Sequence, residues 1–111
     1  DLMALSANNP VTVIGREGLV KDKPGFEVDF LSRGSAQSEM VKAEKPVVLM
    51  PASGHWRIRI NDVEVSLSNG DTAVVLPGES YAVEPSMTGQ AGLYRITATD
   101  DPAGPTWNGQ D

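Results

Sequence analysis

The chain has 111 residues, a formal net charge of −6, one histidine and no cysteine. This length predicts one domain, and the lack of cysteine excludes disulfide bonds, zinc–thiolate sites and a thiol nucleophile. The 9 lysines and arginines form no basic cluster and no apolar run reaches the ~20 residues of a membrane helix, so neither a nucleic-acid nor a membrane partner is expected.

Short apolar segments that alternate with polar residues recur along the chain, and helix signals are nearly absent. The 11 glycines and 8 prolines are too closely spaced for long helices. Period-2 alternation bounded by turn residues predicts half-buried antiparallel strands. In chain order the predicted strands are Val11–Ile14, Gly25–Leu31, Ser38–Lys42, Val47–Met50, His55–Ile60, Val63–Leu67, Thr72–Leu76, Tyr81–Glu84 and Gly92–Thr99.

Tight turns are expected between several of these strands. Asn61–Asp62 is predicted to be a hairpin turn because Asn and Asp tolerate positive φ, and Ser68–Asp71 and Pro77–Gly78 are further turns. Many short strands at this spacing predict an all-β sandwich or jelly roll. The continuous apolar runs Val47–Met50 and Val74–Leu76 are expected to be its central strands.

The ends of the chain are expected to lie outside this β-domain. Residues 1–10 are predicted to be a loose N-terminal arm, residues 11–99 the barrel, and residues 100–111 an irregular tail that Trp107 pins to the barrel. We predict a soluble protein, with the cytoplasm as the favoured location.

Two segments carry a resemblance to a known family. In the first, Ser38-Glu39-Met40-Val41-Lys42-Ala43-Glu44 precedes the apolar run Val47-Val48-Leu49 and Gly54. In the second, Gly70-Asp71 and Val74–Pro77 lead into Pro77-Gly78-Glu79-Ser80-Tyr81. From about Gly34 to Ala98 the chain resembles the cupin superfamily, whose members are small jelly-roll β-barrels. The resemblance implies a single cupin-like barrel of antiparallel strands.

The cupin motifs normally carry metal ligands: a His-x-His pair followed by Glu, and then Pro-x-Gly-x-x-His or a close variant. The resemblance implies that Glu44 holds the carboxylate position, whereas Ser38, Met40 and Tyr81 stand at histidine positions. A single histidine cannot supply a three-His or two-His-one-carboxylate site. We therefore predict no metal and no cofactor.

Tyr81 and Glu44 are the candidate catalytic residues, and each has two interpretations. Tyr81 donates its hydroxyl to a ligand or acts as a general acid, as a tyrosine does in cupin-like sugar epimerases, or it fills the space of the lost metal site with its hydroxyl hydrogen-bonded. Glu44 is a surviving ligand or general base inside the barrel, or a solvated carboxylate beside Lys42 and Lys45.

The candidate ligand-binding set also includes Arg59 and Arg95. Arg57 and Arg59 lie opposite the apolar side chains of the strand His55–Ile60; they face solvent or a partner chain, or they clamp an anionic ligand. Arg95 presents the same alternatives. Met40 is expected to pack rather than bind metal, and His55 is expected to be exposed or in a turn. The full ligand-binding set is Ser38, Met40, Glu44, Tyr81, Arg59 and Arg95.

Two classes of function follow from this pattern. The first is a metal-free cupin-like module that binds a small polar or sugar-like ligand or serves in assembly, as a homodimer that protects strand edges or sheet faces. The second is an enzyme: a metal-independent isomerase, epimerase or lyase that uses Tyr81 with Glu44, or, less expected, a metal-dependent dioxygenase. The sequence leaves open whether the chain is catalytic.

Overall fold

The computed structural model describes residues 1–15, 18–19 and 25–99, and the expected contact of Trp107 lies outside these residues. Among the described residues, no helix combines the length and the apolar character that crossing a membrane requires. The elements are α1 (Leu2–Leu5), β1 (Val11–Ile14), β2 (Phe26–Ser32), a 3-10 turn (Arg33–Ser35), β3 (Val41–Lys42), β4 (Val47–Ser53), β5 (His55–Ile60), β6 (Val63–Ser68), β7 (Ala73–Val75), β8 (Ser80–Pro85) and β9 (Gly92–Ala98).

The strands form two antiparallel sheets. The five-stranded sheet has the order β1-β2-β9-β4-β7, and the four-stranded sheet has the order β3-β8-β5-β6. This confirms the all-β jelly roll that the sequence predicts. Over the described ranges no strand pairs from one sheet to the other, so the two layers face each other without closing into a continuous barrel.

The apolar core lies between the two sheets. Strand alternation directs Leu31, Leu49 and Leu93 of the five-stranded sheet toward Trp56 and Ile58 of the four-stranded sheet, and all five are 0% exposed. Burial of these large side chains is the main driving force for holding the layers together. Because Trp56 and Ile58 face this core, strand alternation places Arg57 and Arg59 on the outer face of β5.

The predicted turns are present. Asn61 adopts a φ of 52° between the paired residues Ile60 and Val63, as expected for the hairpin. Gly70 and Gly78 have φ values of 100° and 93°, a region that side-chain-bearing residues rarely occupy. The Asn-Asp, Gly-Asp and Pro-Gly pairs therefore mark the strand ends for conformational reasons.

Two strand predictions differ from the structure. Val74–Leu76 was expected to be central, but β7 lies at the edge of its sheet, with Val74 52% and Leu76 56% exposed. A continuous apolar run suggests burial on both faces, whereas here only the face that carries Val75 is covered. The strand predicted at Ser38–Lys42 is shortened to β3, because only its last two residues pair with β8.

The first residues contact the five-stranded sheet. The carboxylate of Asp1 caps α1 by accepting a hydrogen bond from the Ala4 backbone N–H at 2.9 Å. Ser6 is 0% exposed, and its carbonyl accepts a hydrogen bond from the Ser32 hydroxyl at 2.8 Å. These contacts tie part of residues 1–10 to β2, while the proposed division of the chain at residues 10 and 99 stays a prediction.

Candidate functional site

A cleft of about 320 Å³ opens between the two sheets beside the apolar core. Asp29 lies two residues before the core residue Leu31, and Arg95 lies two residues after Leu93, so strand alternation brings both into the space between the layers. Its volume is at the lower end for ligand pockets, which suits a small ligand. The lining residues are Glu27, Asp29, Gln37, Val41, Lys42, Ala43, Glu44, Lys45, Val47, Tyr81, Arg95 and Thr97.

An ion pair forms one wall of the cleft. Asp29 and Arg95 are register partners on β2 and β9, and Arg95 donates from Nε at 3.3 Å and from Nη2 at 3.1 Å to Asp29 Oδ2. Their side chains are only 10% and 18% exposed, so solvent screens the pair weakly. Thr12 donates to Asp29 Oδ1 at 2.9 Å, and Arg95 Nη1 donates to Gln37 Oε1 at 3.1 Å. The ion pair is therefore built into the cleft before any ligand binds.

Tyr81 lies where the apolar core meets the polar cleft. The residue is 5% exposed, and its carbonyl accepts a hydrogen bond from Gln37 Nε2 at 3.0 Å. Within the described ranges, its hydroxyl has no protein hydrogen-bond partner. A buried polar group without a partner costs about 1–3 kcal/mol, so a ligand group that bonds to this hydroxyl would be favoured.

The structure brings half of the predicted ligand-binding set together. Glu44, Tyr81 and Arg95 all line the cleft. Ser38 lies instead beside Arg59 in a small depression on the outer face of the four-stranded sheet. Met40 is 39% exposed and is not among the residues that line the cleft.

The arginines of β5 are paired with carboxylates on that outer face. Arg57 donates to Glu84 Oε2 from Nε at 3.1 Å and from Nη2 at 2.7 Å, and Arg59 Nη2 lies 3.4 Å from Glu64 Oε1. The hydrogen bond that Arg57 donates to the Glu84 carboxylate raises the pKa of Arg57, so its guanidinium stays charged. The sequence left open whether Arg57 and Arg59 face outward or clamp an anionic ligand. In the structure both side chains face outward, away from the cleft.

The donor groups do not fit the metal centre that cupin motifs usually hold. In the described part of the chain, no group of three or more His, Asp or Glu residues is placed to hold a metal ion. His55 begins β5 and is exposed, as the sequence predicts. The chemistry of the cleft is therefore that of hydroxyl, amide, carboxylate, ammonium and guanidinium groups.

Sequence reasoning missed Asp29 and Gln37. Alternation in β2 separates Phe26, Val28 and Phe30 from the polar residues between them, but it does not say which face is internal. The available signal was Leu31, which shares a face with Asp29 and belongs to the core. Gln37 lies outside any strand, so no periodic pattern marks it.

A second cleft of about 500 Å³ lies between α1 and the loop after β8. Asp1 and Arg33 are its charged lining residues, and Arg33 donates to the carbonyl of Gly89 from Nε at 3.0 Å and also to the carbonyl of Met87. These bonds commit the guanidinium to holding the loop. None of the predicted ligand-binding residues lines this cleft.

Comparison with protein-family models and with curated proteins finds no match. Among solved structures, a cupin 2 domain-containing protein from Halorhodospira halophila is 19% identical, with a TM-score of 0.69 over 86% of this chain and 67% of that one. The Cnp3 cupin domain of Schizosaccharomyces pombe is 16% identical, with a TM-score of 0.62 over 72% of this chain.

The chain spans 60% of the length of that Cnp3 domain. A cupin superfamily protein from Desulfitobacterium hafniense is 17% identical, with a TM-score of 0.59 over 84% of this chain and 80% of that one. Identities this low show the fold alone and leave the choice of function to the residues of the site.

Proposed function

We propose that this chain, which has the cupin fold, is a metal-free module that binds a small polar, sugar-like ligand between its two sheets. The observation that carries the proposal is Tyr81, a residue that is 5% exposed and lines the cleft and whose hydroxyl has no protein hydrogen-bond partner in the described ranges. A ligand hydroxyl would supply the missing bond.

The other lining groups support a hydroxylated ligand. Arg95 and Gln37 offer N–H donors, and Asp29 and Glu44 offer carboxylate acceptors, all within one cleft. A hydroxyl group both donates and accepts, so adjacent hydroxyls match such a mixed lining. A purely apolar ligand would remove water from the remaining donor and acceptor sites of these groups without replacing its hydrogen bonds, which is unfavourable.

Tyr81→Phe is expected to weaken ligand binding without destabilising the fold. Loss of one neutral hydrogen bond lowers affinity about 2- to 10-fold, whereas the free energy of unfolding without ligand is expected to stay the same or to rise by up to about 1–3 kcal/mol, because the change removes a buried hydroxyl that has no protein partner. The measurement is a ¹H–¹⁵N NMR titration with D-glucose, sorbitol and myo-inositol, alongside urea unfolding.

Tyr94→Phe is the matched control. Tyr94 lies on the face of β9 opposite to the cleft residue Arg95, with its ring 5.2 Å from that of Phe30. Equal affinity of the Tyr81→Phe variant and wild type would contradict the role of Tyr81. New product resonances in one-dimensional ¹H spectra of the same samples would favour the enzymatic alternative with Tyr81 and Glu44.

We further propose that the module is a homodimer that pairs through the outer face of the five-stranded sheet. An apolar row crosses all five strands of this face, through register partners Ile14, Val28, Ile96, Val48 and Val74. Val74 is 52% exposed and Met50, in the neighbouring row, is 39% exposed, whereas Val28 is only 9% exposed, so the proposed contact is centred on β4 and β7. Apolar sheet faces pack against one another, so a second copy of this sheet is the occupant that we expect.

Sedimentation velocity tests the dimer. Wild type is expected to sediment as a dimer and Met50→Lys/Val74→Lys as a monomer, because two charges would be buried without partners. Val63→Lys is the control, because Val63 is 62% exposed on β6 of the other sheet. A monomeric wild type, or a double variant that remains dimeric, would reject this interface.

A further inference from the structure

The charge of Arg95 is neutralised inside the cleft. Its Nε and Nη2 both donate to one oxygen of Asp29, and both side chains are largely removed from solvent. An unpaired guanidinium in such a position would bind a carboxylate or phosphate, since bidentate pairing with anions is its strongest interaction. Asp29 already occupies that role.

The remaining charges of the lining do not restore a preference for anions. Glu27 and Glu44 contribute two further carboxylates, and Lys42 and Lys45 contribute two ammonium groups. With Asp29 and Arg95 the lining holds equal numbers of acidic and basic side chains. Lys42 and Glu44 are both exposed, so water screens both of these charges.

We propose that Asp29 is a specificity-determining residue that makes the cleft select neutral polyhydroxylated compounds over their carboxylated counterparts. This inference rests on the proposed function. An incoming carboxylate would lie next to Asp29 and would have to compete with it for Arg95, so like-charge repulsion opposes binding. A neutral hydroxyl meets no such repulsion.

The pair retains capacity for a neutral ligand. Arg95 has five N–H donors, and three of them are used in the bonds to Asp29 and Gln37. The Asp29 carboxylate accepts from Thr12 and Arg95 and still has room for another donor. One ligand hydroxyl can accept from the guanidinium and donate to the carboxylate.

The test is an NMR titration of the whole chain with two matched pairs of probes, D-glucose against D-glucuronate and sorbitol against D-gluconate, at constant ionic strength. In wild type the neutral member of each pair is expected to bind about 10-fold more tightly or better, the scale of one hydrogen bond to a charged group. In Asp29→Asn the preference is expected to reverse, because Arg95 becomes available to the carboxylate.

Asp62→Asn is the charge-matched control, since Asp62 lies in the exposed β5–β6 turn, and the selectivity of this variant should equal that of wild type.

Wild type that binds the carboxylates as tightly as the neutral probes overturns the role of Asp29 and leaves the proposed function intact. An Asp29→Asn variant that folds without gaining affinity for the carboxylates also overturns it. Wild type that binds none of the four probes rejects the proposed function itself. The wild-type comparison decides selectivity even where Asp29→Asn fails to fold.

Discussion

Arg95→Met is expected to lower the free energy of unfolding by about 3–5 kcal/mol, the range seen when one partner of a buried ion pair is removed. Methionine roughly retains the length of the side chain, so the loss comes from Asp29, whose carboxylate is left without a counter-ion at 10% exposure. Urea unfolding followed by circular dichroism measures the change. An m value equal to that of wild type would show that Arg95→Met and wild type unfold between the same states.

Two variants place this effect in the ion pair itself. Asp29→Asn/Arg95→Gln removes both charges and is expected to lose less stability than Arg95→Met. A double-mutant cycle with Asp29→Asn and Arg95→Gln as the single variants measures the interaction energy of the pair. Arg57→Met removes an arginine whose partner Glu84 is solvent-accessible, and its effect should be small because surface pairs contribute little. An Arg95→Met variant as stable as Arg57→Met would contradict a structural role for the buried pair.

Strand positions were predictable because local chemistry sets them. β1 and β5 have the predicted bounds, since alternation and adjacent turn residues define both ends. Asn61 and Gly78 mark turns through φ values that other residues rarely adopt. These signals depend on a few neighbouring residues and need no knowledge of the partner strand.

The internal face of each sheet was not predictable in the same way. In β2 both faces are substantially buried, so alternation alone does not distinguish the face of Asp29 from that of Phe30. The edge position of β7 depends on which strands pair, which a single apolar run does not encode. The helical turn α1 covers only Leu2–Leu5, too short for a periodic pattern to appear.

Motif alignment located part of the cleft for a related reason. Tyr81 follows a well-defined turn and strand, so its position along β8 could be inferred. Ser38 and Met40 precede the two-residue strand β3, where pairing with β8 does not continue, and they fall outside the cleft. Arg95 lies beside Asp29 in the cleft because the register of β2 and β9 places the two residues opposite each other. These strands are distant in sequence, so motif alignment does not predict their register.

Trp56→Ala is expected to cost about 3–5 kcal/mol of unfolding free energy, the range for removing a buried aromatic side chain. Trp56 is 0% exposed, and its Nε1 lies 3.2 Å from the carbonyl of Ser53 and 3.1 Å from that of Gly92. Both acceptors belong to the five-stranded sheet, whereas Trp56 belongs to β5, so this side chain joins the two layers. Urea unfolding followed by far-ultraviolet circular dichroism measures the loss.

Trp56→Phe separates packing from hydrogen bonding. Phenylalanine keeps much of the apolar volume but leaves the half-buried carbonyl of Ser53 and the buried carbonyl of Gly92 without this donor, so a smaller loss of about 1–3 kcal/mol is expected. Because Trp56 does not line the cleft, folded Trp56→Phe should bind the neutral probes as wild type does. A Trp56→Ala variant no less stable than Trp56→Phe would contradict the packing role of the indole. Weakened probe binding by folded Trp56→Phe would show instead that the shape of the cleft depends on this contact between the sheets.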